Sequence, residues 1–80
     1  MTEKDLINLD FTRTEEMGDG FHYYTYDIGS LCLISSANDE VENDGWFVEV
    51  FESPEIRFTT FTELSALLKL LTNNLIVNNF

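Results

Sequence analysis

Basic residues are scarce in this chain. Lys4, Arg13, Arg57 and Lys69 are the only four, well separated, against fifteen acids. Nucleic-acid binding needs Lys and Arg to neutralise phosphates, and no basic cluster exists. Attraction to anionic lipid is disfavoured for the same reason. One cysteine, Cys32, excludes an intramolecular disulfide. One histidine, His22, leaves too few soft ligands for a zinc site. No apolar run approaches the roughly 18 residues of a membrane span, and no signal-peptide pattern opens the chain. The sequence therefore reads as a soluble, cytoplasmic protein. No P-loop, dinucleotide fingerprint or GxSxG motif is present, so an enzyme is not expected.

What is present is acid and aromatic. The net charge is −11, the apolar fraction 44% and the aromatic fraction 14%. Disordered chains combine high charge with low hydrophobicity, and this one has only the first. Eighty residues make a single small domain, 1–80, with 1–10 and 75–80 as the segments expected to fray. Such a chain buries roughly 60% of its unfolded surface, so its core is thin.

Along the chain, residues 1–10 read either as a short helix capped by Thr2 with Asp5 or as an edge strand. FTRT, 11–14, has modest strand character, and EEMGDG, 15–20, is a loop. FHYYTYD, 21–27, is a strand, DIGS a turn, and LCLISS, 31–36, the next strand. In a tight hairpin Tyr26 then pairs with Leu31 and Tyr24 with Leu33. WFVEVFE, 46–52, is the strongest strand, SPE a turn, and IRFTT, 56–60, a fourth candidate. Thr60 and Glu63 form a capping-box pattern, and Phe61, Leu64, Leu67, Leu68 and Leu71 recur at helical spacing. LIV, 75–77, is left as a last short strand or a loosely docked end. The fold class is α+β: a small antiparallel meander of three to four strands with one C-terminal helix packed on one face.

The strands do not alternate cleanly. Trp46, Val48 and Val50 share one face, but Phe47 and Phe51 flank Glu49 on the other. Phe21 and Tyr23 likewise oppose Tyr24 and Tyr26. One helix covers one face, so the second is left for the N-terminal segment, a second copy as a homodimer, or another protein.

SANDEVENDGW, 36–46, poses the sharpest question. With Gly45 at position six of a calcium loop, Glu40, Glu42 and Asp44 fall at one, three and five. Position twelve is then Phe51, which cannot bind calcium, so no metal or other cofactor is expected. Cys32 and His22 are the only candidate nucleophile and base. The hairpin register separates them by three pairs, about 10 Å, too far for proton transfer. Aromatic stacking of bases by FHYYTY lacks the adjacent Arg and Lys it needs.

Display of negative charge remains. Locally extended, Glu40, Glu42 and Asp44 would align carboxylates about 6.7 Å apart, similar in sign and scale to backbone phosphates. An ordinary solvated turn explains the same residues. The segments SANDEVENDGW and WFVEVFESPE, in a small acidic chain without a catalytic motif, resemble in overall character the anti-CRISPR proteins that phages make against bacterial defence. That resemblance implies a non-enzymatic inhibitor of phage or mobile-element origin. Its partner would be a basic protein or nucleoprotein complex such as a CRISPR effector. It assigns no residue a role. From the residues themselves, the expected contacts are Asp39, Glu40, Glu42, Asp44, Glu49 and Glu52, with Trp46, Phe47, Tyr24 and Tyr26 as aromatic anchors. An accessory or assembly subunit acting through self-association, and an antitoxin-like neutralising protein, are the alternatives.

Overall fold

The computed structural model describes residues 1–15, 20–41 and 45–77, with side chains through Asn73. Its elements are α1 (Glu3–Asn8), β1 (Thr12–Glu15), β2 (His22–Ile28), β3 (Leu31–Ser35), β4 (Val48–Val50), β5 (Ser53–Phe58) and α2 (Phe61–Val77). The five strands form one antiparallel sheet in sequential order, and the α+β class stands. The strand beyond the expected four is β1, which adds an edge beside β2.

Residues 1–10 resolve as helix rather than strand. Thr2 Oγ1 accepts from Asp5 N–H at 3.2 Å and Asp5 Oδ2 accepts from Thr2 N–H at 2.9 Å, a complete capping box. The helix ends in a Schellman arrangement. Asp10 takes φ +69°, Phe11 N–H bonds to Leu6 C=O at 3.1 Å and Asp10 N–H to Ile7 C=O at 3.0 Å. Capped at both ends, six residues stay helical because Leu6 is fully buried in the main core.

The β2–β3 hairpin differs in register from the expectation. Ile28 pairs with Leu31 and Tyr26 with Leu33, so only Gly29 and Ser30 form the loop. Gly29 adopts φ +60° there, as primed two-residue turns require of their first position. The β4 strand is shorter than WFVEVFE suggests, since Phe51 and Glu52 form the turn into β5. Pro54 consequently lies within β5, on the sheet edge, where its missing N–H leaves no ladder bond unmade. The pairing of β4 with β5 is irregular: Glu49 faces Arg57, but Val50 faces Ser53. LIV, 75–77, continues α2 instead of adding a strand.

One core holds the molecule together. Leu6, Phe11, Tyr24, Leu33, Trp46, Val48, Leu64 and Leu68 form a single buried cluster. Both helices contribute to it, so α1 joins α2 on one face of the sheet and does not cover the other. The buried serines of β3 and its end complete the ladders. Ser35 Oγ accepts from Tyr24 N–H at 2.8 Å and donates to Ser36 C=O, and Ser36 Oγ accepts from Phe47 N–H at 3.3 Å.

Candidate functional site

The acidic loop is anchored at a cluster around His22. Glu3 Oε2 lies 2.6 Å from His22 Nε2 and accepts a bond of 2.6 Å from the Tyr24 hydroxyl. The His22 and Tyr24 rings both stand against Trp46, with centroids 5.7 and 5.8 Å away. The backbone of His22 exchanges bonds with Asn38: N–H to Oδ1 and C=O from N–H, each at 3.0 Å. At the far end of the loop, Trp46 N–H bonds to Met1 C=O at 2.7 Å, and the Met1 ammonium donates to Thr59 C=O at 3.0 Å. The Tyr24 bond, with His22 behind it, holds the Glu3 carboxyl below the usual carboxylate range against the opposing effect of burial. The Tyr24 phenol is pushed up, first by burial and then by Glu3. This arrangement fastens α1 and the loop ends to β2.

The expected contact residues are placed unequally. Asp39 and Glu40 are exposed in the turn after β3. Glu40 is not extended there: its N–H bonds to Ala37 C=O, and its Oε1 accepts from Ala37 N–H at 2.9 Å. Glu42 and Asp44 lie outside the described residues, so the row of alternating carboxylates is traced only at its first member. Glu49 is half-buried and bound to Arg57 at 3.0 Å. Glu52 is exposed in the β4–β5 turn with φ +68°.

The aromatic expectation is corrected. Tyr24 is 1% exposed and Trp46 9%, both within the core beneath α1. Phe47 is 8% exposed on the opposite face, with the Arg57 guanidinium 4.0 Å over its ring. Tyr26 is half-buried against Phe11, 5.2 Å between centroids. None of these three buried rings is available as a surface anchor, because the two helices and Arg57 cover them.

No family model, curated protein or solved structure matches the chain. The site is therefore read from its own chemistry. Cys32 pairs with Asp27, five residues along β2 from His22 and about 17 Å away at strand spacing, farther than the expected register put it. Burial first, then Asp27, pushes the Cys32 thiol up, opposite to what a nucleophile needs. Among the described residues no three His, Cys, Asp or Glu side chains are grouped to hold a metal. An open groove of about 290 Å³ runs between the end of α1 and α2, lined by Leu9, Asp10, Tyr26, Leu68, Lys69 and Asn73. No helix of the described residues is long and apolar enough to cross a membrane.

Besides Val41, 38% exposed next to Glu40, the apolar groups that face solvent near the acids are Phe51 and Ile56, 52% and 46% exposed. They sit on the β4–β5 hairpin with Glu52 and the exposed Glu55. Pro54 marks β5 as an edge strand, but nothing local in the run WFVEVF marks Phe51 as a turn residue.

Proposed function

We propose that this chain is a non-enzymatic, protein-binding inhibitor whose acidic surface engages a basic, nucleic-acid-handling complex. The carrying observation is that both arginines are engaged by the chain's own groups, which leaves Lys4 and Lys69 as the remaining bases. Arg13 is bound to Glu15 at 2.8 Å, and Arg57 to Glu49 and the Phe47 ring. Among the described residues no ion pair involves Asp39, Glu40, Glu52 or Glu55. A surface of one sign steers oppositely charged partners and repels nucleic acid itself. The acids would occupy Lys and Arg that otherwise hold a phosphate backbone. A CRISPR effector is the partner class that the anti-CRISPR resemblance supplies.

A tagged pull-down from host lysate, with and without nuclease, tests this reading. A basic nucleic-acid enzyme retained after nuclease and released by salt supports it. Reversal of Glu40, Glu42 and Asp44 to Lys should then weaken binding and flatten its salt dependence. Affinity independent of salt in both proteins would refute the reading. Ile7 and Leu70, 54% and 59% exposed on α1 and α2, favour a second reading, an assembly subunit that self-associates through its helices. Concentration-dependent mass in sedimentation, unaffected by the acid reversals, would decide for it.

A further inference from the structure

We infer that the β4–β5 hairpin carries the docking anchor. Phe51, exposed in the turn of that hairpin, seats in an apolar pocket of the partner protein whose rim is Lys and Arg. This rests on the acidic-surface reading above and adds to it the residue that gives the complex its lifetime.

Three observations lead there. Phe51 is held out from a fixed backbone: its N–H bonds to Cys32 C=O at 2.9 Å, extending the β3–β4 ladder by one residue, yet its ring is half in water. A rigidly presented aromatic loses little freedom on binding, which is what an interface hot spot requires. The neighbours of Phe51 and Ile56 in sequence are Glu52 and Glu55, both exposed. The hairpin's one base, Arg57, is engaged with Glu49 and Phe47. Acids around an apolar centre fit a pocket rimmed with bases.

The same residues exclude other occupants. A second copy would bring its own Glu52 and Glu55 against these. A strand added to the β5 edge would meet Pro54, which has no N–H, and a segment whose register with β4 slips between Glu49 and Val50. The partner therefore contacts side chains and not the ladder.

The probe is a phage-displayed library of random peptides, selected on the whole chain. Enriched peptides should combine Lys or Arg with Leu or Phe. In amide chemical-shift mapping of the unsubstituted chain they should perturb residues 50–56. Phe51→Ser should weaken them at least about tenfold and Ile56→Ser by less, while Ile7→Ser, equally exposed on α1, leaves affinity unchanged. Circular dichroism confirms that each variant folds. Peptides that bind Phe51→Ser as well as the parent, shifts that map away from the hairpin, or no enrichment at all would overturn the anchor. Loss on Glu52→Lys with retention on Phe51→Ser would leave the acidic reading standing and remove only the anchor. Loss on Phe51→Ser with no effect of Glu52→Lys and Glu55→Lys would instead remove the acidic rim, and with it the proposal as stated.

Discussion

One oxygen of Glu3 receives the Tyr24 hydroxyl at 2.6 Å and lies 2.6 Å from His22 Nε2. A helix six residues long is thereby tied to β2 by a carboxylate in its first turn. The same position favours the helix, since negative charge suits its N-terminus.

That contact makes a pH-dependent contribution. The folded state holds the Glu3 carboxyl low, so its stabilisation is present above the ordinary carboxylate pKa and is lost as pH falls through the folded value. Glu3→Gln should be less stable than the parent near neutrality and should converge with it in acid. Urea midpoints of both proteins between about pH 2.5 and 7 measure this, and their difference isolates Glu3 from the other carboxylates. A difference that does not change with pH would contradict the role given to this carboxylate.

Gly45 should be irreplaceable at small cost in volume. It adopts φ +93°, and a Cβ there would run into the carbonyl oxygen of Met1, a backbone atom bonded to Trp46 N–H. Gly20 has φ +72° but open space around it. Gly20→Ala should therefore cost only the left-handed strain, about 1–2 kcal/mol. Gly45→Ala should add about 1–3 kcal/mol for the clash. Thermal unfolding of the pair reads the difference directly, and equal losses would mean that the N-terminal residue yields without penalty.

The sequence shows faces more clearly than it shows register. Thr2 with Asp5, Thr60 with Glu63, and the Leu64–Leu68 stripe are local patterns, and each appears in the fold where expected. The β2–β3 register does not, because a slip of two residues returns every side chain to its original face. Only the loop length distinguishes Tyr26–Leu33 from Tyr26–Leu31, and DIGS accommodates either loop. Three of the expected aromatic anchors, Trp46, Tyr24 and Phe47, are buried for a tertiary reason. Periodicity placed Trp46 and Tyr24 on definite faces, but nothing local says that α1 and α2 share one of them. The exposure of Phe51 depends on where β4 stops, which the apolar run WFVEVF conceals.

Asp10 is a second strained position whose relief should stabilise the fold. Its φ of +69° terminates α1, and a residue without a Cβ occupies that conformation more readily. Asp10→Gly should gain about 0.5–1 kcal/mol, and Asp10→Ala should not. Removal of one acid from a chain of net charge −11 also reduces self-repulsion, so Asp10→Asn serves as the charge control. Midpoints ranked Gly above Asn above Ala would assign the effect to backbone strain. Equal gains for all three would assign it to charge.

Cys32 should be a poor nucleophile despite lying beside the β2–β3 turn. Its thiol is raised first by burial, then by the hydrogen bond and charge of Asp27 opposite it. Thiolate is the reactive species, so alkylation by iodoacetamide near pH 7 should be slower than that of a free cysteine peptide. Asp27→Asn should shift the pH of half-maximal reactivity downward while leaving it above that of the peptide, because the desolvation remains. The rate profile against pH separates the two causes. A profile identical to the peptide's would mean that the β2–β3 hairpin opens faster than the reagent reacts, and burial of Cys32 would then have no kinetic consequence.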